Sequence, residues 1–140
     1  MRVENAQLVK APREQVFQAW TDCERWPTWS TLFPRVAVTD RTGNTVHLDL
    51  DIKIMGRIAT RTEKHILTPP AQVQVEGETE EATNTSLWKF ESVPEGTRLT
   101  AAVEAPLKGW TKLLGPLAKR RLQTMLRKEM QTFAKYVEAK

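Results

Sequence analysis

Ala11-Pro12-Arg13-Glu14-Gln15-Val16-Phe17, followed by Trp20, Asp22 and Trp26-Pro27-Thr28-Trp29, is the stretch on which the fold turns. Proline suits a first helical turn, where its missing N–H has no partner to lose. Val16, Phe17 and Trp20 then share one stripe, which predicts a helix from Pro12 to Thr21. Asp22 is placed to cap a second, short helix on which Trp26 and Trp29, three apart, share a face. Upstream, Val3 to Lys10 reads as a strand. Downstream of Phe33-Pro34 the period changes to two: Val36 and Val38, a turn at Thr42-Gly43-Asn44, then Val46, Leu48, Leu50, Ile52 and Ile54. Further strands run over Arg57 to Leu67, stopped by Pro69-Pro70, through Val73 and Val75, and over Thr85 to Val93 and Thr97 to Glu104 around a Pro94-Glu95-Gly96 turn. Connections this short join only antiparallel neighbours. Beyond Gly115-Pro116 the period returns to 3.6, with Leu122, Met125, Leu126, Met130, Phe133, Tyr136 and Val137 in one arc. The expected fold is α+β: a curved, antiparallel, seven-stranded sheet wrapped on a long C-terminal helix, with two short helices after the first strand.

The 140 residues suit one domain, 1–140, and 40% hydrophobic with 27% charged residues is ordinary globular composition. One cysteine, Cys23, excludes an internal disulfide, and no Cys/His cluster suggests a metal; no cofactor is expected. The opening residues have no apolar signal region and no run is long enough to span a bilayer, so a cytoplasmic location is expected. The net charge of +4 is unevenly placed: from Leu107 onward it is +7, before it −3. A basic helical face of this kind is usually solvated, but also suits transient contact with a membrane or an acidic partner. Nucleic acid is not expected, because Phe133 and Tyr136 fall on the apolar side instead of interleaving with the cations. Oligomeric state is left open.

The candidate reactive residues are few. Glu129 falls among Met125, Leu126, Met130 and Phe133, where a dry environment would raise its pKa and suit it to acid–base work; alternatively it anchors a strand or loop group by a hydrogen bond, or meets water at the sheet edge. A three-residue loop, Ile54-Met55-Gly56, would set Asp49 opposite Arg61 and His47 opposite Glu63 on the solvent side. That register turns Thr60, Thr62 and Lys64 inward, the lysine as a desolvated amine or snorkelling to the rim. A bulge before Pro69 would instead bring in Arg61, Glu63 or His65. His47 and His65 read as surface or rim residues, and Asp49 and Asp51 as solvent-facing. Trp88 and Phe90 share a face and offer flat walls to a ring. Leu122, Met125, Leu126 and Phe133 face them from the helix. Trp26, Trp29 and Trp110 are placed to frame an entrance or to pack in the core, with Ala105 to Trp110 expected to stay irregular and act as a mobile flap.

The order of elements, the Ala11 to Phe17 opening, Asp22 with Trp26-Pro27-Thr28-Trp29, the Pro69-Pro70 stop, and Trp88-Lys89-Phe90 followed by Glu95-Gly96-Thr97-Arg98 resemble the helix-grip superfamily of START-like, polyketide cyclase/dehydrase and coenzyme Q-binding proteins, also called SRPBCC. The resemblance implies a deep apolar cavity between sheet and last helix that holds a lipid, a polyketide or an aromatic compound. It leaves two functions: a carrier of a hydrophobic molecule, or a cyclase, aromatase or dehydratase in which Glu129 or Lys64 is the acid–base group.

Overall fold

Val46, Leu48, Leu50, Ile52 and Ile54 alternate with polar residues along one strand and all are buried, so this strand sits with one face on a core. The sheet built around it belongs to a computed structural model that describes residues 1–80 and 82–140. Its strands are β1 (Arg2–Val9), β2 (Arg35–Thr42), β3 (Thr45–Ile54), β4 (Arg57–Thr68), β5 (Gln72–Glu78), β6 (Thr83–Val93) and β7 (Gly96–Glu104). They pair antiparallel in the order β1-β7-β6-β5-β4-β3-β2, and the sheet curves. Between β1 and β2 lie the helix α1 (Arg13–Thr21) and a 3₁₀ helix (Cys23–Thr28). After β7 come α2 (Leu107–Leu114) and the long α3 (Ala118–Glu138).

Three contacts fix α3 in the grip of the sheet. Gln123 donates to the Glu4 carbonyl (2.7 Å), Asn5 to the Met130 sulfur (3.3 Å), and the Lys10 N–H to Glu138 (2.9 Å), so α3 runs beside β1 in the same direction. Its apolar stripe, including Leu122, Leu126, Met130, Phe133 and Val137, is buried. The α1 stripe of Val16, Phe17 and Trp20 closes the core from the other side, Phe17 meeting Phe90 edge-on at 5.1 Å. No helix among the described residues is long and apolar enough to cross a membrane.

Two expectations are corrected. The β3–β4 connection is a two-residue turn, with Ile54 paired to Arg57 and only Met55 (φ 53°) and Gly56 (φ 80°) between them. Positive φ at both central residues is the tight hairpin form whose twist matches the strands. The register therefore pairs Leu50 with Arg61, Leu48 with Glu63 and Val46 with His65. A one-residue difference in loop length reverses every side chain of the returning strand. Thr60, Thr62 and Lys64 accordingly lie on the outer face, Thr60 and Thr62 exposed and Lys64 half-exposed, whereas Arg61, Glu63 and His65 are buried.

The second correction concerns the segment after β7. Leu107 to Leu114 is helical, because Trp110 and Leu114 are one turn apart and both bury against the core. Pro106 precedes the helix and Gly115 (φ 79°) closes it, so two residues that read as breakers are its start and stop signals. Trp110 is 4% exposed and donates to the Thr83 carbonyl at 3.1 Å, so it is a fixed wall and not a flap.

Candidate functional site

The inward parity of β4 carries three ionisable groups into the core, and they bind one another. Arg61 Nε donates to Glu63 at 2.9 Å, and His65 Nε2 lies 2.8 Å from the other Glu63 oxygen. Burial pushes the Glu63 pKa up, but the His65 hydrogen bond and the Arg61 charge outweigh it and hold the carboxyl below its usual range. Glu63 is thus a carboxylate whose charge is answered on both oxygens. Trp20 and Trp26 cover His65, with ring centroids at 5.4 and 5.7 Å. Cys23 lies 3.9 Å from His65 Nδ1, but its thiol is pushed up to about 12 by burial and by the charge of Glu63. A thiol held protonated is no nucleophile, so Cys23, His65 and Glu63 form a structural chain despite their triad-like order.

Arg61 crosses the sheet from this anchor. Its Nη2 donates to Asn84 on β6, passing directly over Gly77 on β5. A Cβ at position 77 would overlap the guanidinium, so Gly77 is what allows the arginine to lie flat. Nη1 is left buried with no partner.

On the facing side, Glu129 of α3 is 7% exposed and accepts a short hydrogen bond from Ser30. Burial raises its pKa to about 6, against the opposing pull of the Ser30 hydroxyl and the nearby Thr31 N–H. Its Oε1 is buried and unpartnered, and so is the indole Nε1 of Trp29. The other paired indoles differ: Trp26 donates to the Trp20 carbonyl (2.9 Å) and Trp88 to Ser86 (3.0 Å).

Arg61, Glu129 and Trp29 line one cavity of about 120 Å3 between sheet, 3₁₀ helix, α2 and α3. The remaining walls are mostly apolar, and Trp88, Trp110, Leu122, Met125 and Leu126 are all in them. Phe90 and Phe133, both 2% exposed, do not line it; they pack behind the wall against Phe17 and Trp29. Thr60, Thr62 and Lys64 are not part of it. Thr62 and Lys64 instead border a broad, open trough of about 1300 Å3 on the outer face, beside Glu76 and Glu78. The inner cavity is the candidate site, because convergent polar groups in a mostly apolar hollow discriminate ligands and an open charged surface does not. No cluster of three or more His, Cys, Asp or Glu among the described residues is arranged to hold a metal.

As inward-facing groups, Arg61 and Glu63 enter the sequence reading only through the bulge alternative; its main register sets them on the solvent side. Trp20, Leu32, Phe33 and Asn84 line the cavity without any signal in the sequence reading, whereas Trp26 and Ser86 lie where that reading puts them, at the entrance and on the face of Trp88. The signal for Arg61 was present: an arginine and a glycine at inward positions of neighbouring strands, once the hairpin is given its two-residue turn.

The sequence matches the family described as polyketide cyclase / dehydrase and lipid transport over residues 9–134. The chain belongs to that family. With the family comes its general function, the handling of a hydrophobic small molecule as a binding protein or as a polyketide cyclase. The fold is similar to that of TTHA0849 from Thermus thermophilus (TM-score 0.86, 18% identity, 99% of this chain and 98% of that one). It is similar too to the ZhuI aromatase/cyclase from Streptomyces sp. R1128 (TM-score 0.80, 16% identity, 99% and 93%). Ara h 8.0201 shares it at TM-score 0.75 and 12% identity, over 100% and 99% of the two chains. No curated protein matches the sequence significantly.

Proposed function

We propose that this member of the family binds a compact hydrophobic molecule bearing oxygen at both ends, with an acceptor oxygen at Arg61 Nη1 and a hydroxyl at Glu129 Oε1. The observation that carries the reading is that three buried polar atoms without partners, on Arg61, Glu129 and Trp29, border one mostly apolar cavity. Buried polar groups normally find partners, and leaving one unmade costs roughly 1–3 kcal/mol, so three around one hollow point to a ligand that supplies them. At about 120 Å3 the hollow is smaller than the ~300–1,000 Å3 of common ligand sites, which favours a single ring over an extended chain.

A second reading, catalysis, is favoured by the Glu129 pKa of about 6. A carboxyl titrating near neutrality is suited to proton transfer. In a dehydration, Glu129 would take the proton α to a carbonyl while Arg61 holds the developing enolate oxygen. The same carboxyl would then return the proton to the leaving β-hydroxyl, which departs as water.

Titration with 4-hydroxyacetophenone tests the binding reading. The hydrogen bond from the phenol to Glu129 is stronger when the carboxyl is ionised, so affinity should rise with pH through about 6 in the native protein and lose that dependence in Glu129→Gln. Affinity independent of pH from 5 to 8 in both proteins, a range chosen around that value, contradicts the assignment. Water release from a β-hydroxyketone by the native protein, abolished in Glu129→Gln, would add the catalytic reading.

A further inference from the structure

Large apolar side chains left exposed among the described residues are Leu8, Met55, Ile58, Leu107 and Leu117. All but Leu8 fall at one end of the molecule. Strand register puts the β3–β4 turn, the β5–β6 connection and the end of β7, which leads into α2, at that same end. Leu107 (55% exposed) and Leu117 (52%) bracket α2, and the exposed cations around them are Lys108, Lys112, Lys119 and Arg120. From Leu107 to Lys128 the sequence has no acidic residue. Met55 (61%) and Ile58 (63%) project from the hairpin beside the exposed cations Lys53 and Arg57.

We propose that this end of the molecule docks on an anionic lipid bilayer, the four apolar side chains entering the headgroup layer and the surrounding cations meeting the lipid phosphates. Paired apolar and cationic groups are the combination that an interfacial site requires: each cation contributes where the surface is negative, and each leucine only where hydrocarbon can receive it. A nucleic acid would use the cations but would leave the four apolar side chains in water, and the tryptophans that could stack on bases are turned into the core or the cavity. Of the described carboxylates at this end, Glu78 projects on the outer face and Glu80, in the β5–β6 connection, is exposed, while Glu104 is taken by Arg2 at 2.8 Å. The basic face of α3 farther along, with Arg127, Lys128 and Lys135, has no exposed large apolar side chain and would serve only as a long-range attractor. Docking in this way sets α2, whose Trp110 walls the cavity, against the bilayer, so a hydrophobic ligand could pass between cavity and membrane without crossing water. The docking stands independently of which ligand the cavity takes.

Flotation of the intact protein with vesicles decides the matter. Vesicles of phosphatidylcholine containing about 30 mol % phosphatidylglycerol, in about 0.1 M salt, should carry the protein, and pure phosphatidylcholine should not. Leu107→Glu with Leu117→Glu should lower the bound fraction at least about tenfold, and Lys108→Gln with Lys112→Gln about fivefold per cation removed. All four positions are exposed, and an unchanged melting temperature confirms that the variants fold. The proposal is overturned if anionic vesicles leave the protein in solution, or if the leucine variant floats as well as the native protein, which would mean surface adsorption by charge alone. It is also overturned if duplex DNA strips the native protein from vesicles at equal phosphate concentration, which would assign the patch to nucleic acid.

Discussion

Glu129 was legible from the sequence because a charge inside an apolar helical arc is conspicuous at any register of its partners. Arg61 was not, because its direction depends on a turn two elements away. The two make different predictions. Glu129 has a folded pKa of about 6 against an ordinary 4.5, so between those values the native state keeps a proton that the unfolded chain has released. Stability from this group is therefore full below pH 4.5 and declines as pH rises through 6, by at most about 2 kcal/mol. Glu129→Gln should remove that decline, leaving the variant more stable than the native protein at pH 8 and similar at pH 4; urea melts at the two values measure it. Gly77→Ala should behave contrary to the usual rule that alanine strengthens a strand. Because the new Cβ overlaps the Arg61 guanidinium, it should cost about 1–3 kcal/mol and weaken 4-hydroxyacetophenone binding together.

At the scale of elements, the strands and helices were readable and two connections were not. Alternation located β3 and β4 but not the number of residues between them, and methionine is a poor indicator of a positive-φ turn. Met55 adopts φ 53° at a cost that asparagine avoids. Met55→Asn should raise stability by roughly 0.5–1 kcal/mol with no effect on ligand binding, seen as a higher urea midpoint at unchanged slope. A destabilised variant would show that Met55 makes contacts the turn geometry does not capture. In α2, Pro106 and Gly115 stand just outside the helix, where each promotes the boundary it was read as disrupting. The deciding fact, that Trp110 and Leu114 share a buried face, follows from spacing alone, but only once the segment is allowed to be a helix.

For the molecule as a whole, the fold came through because its signature is the order of elements, to which small errors of register are invisible. A site is more demanding: it depends on parity, and here one residue of loop length exchanged Thr60, Thr62 and Lys64 for Arg61, Glu63 and His65. The outcome is a sheet whose inner face carries a neutralised Arg61–Glu63–His65 chain, facing a helix with one carboxyl near its titration point, around a cavity otherwise largely apolar. A crystal structure of the protein soaked in 4-hydroxyacetophenone tests that arrangement most directly. The ring should lie between Trp88 and α3 with its carbonyl oxygen about 2.7–3.2 Å from Arg61 Nη1 and its hydroxyl at Glu129. A ring bound in the outer trough beside Thr62 and Lys64, with the inner cavity empty, would contradict the account.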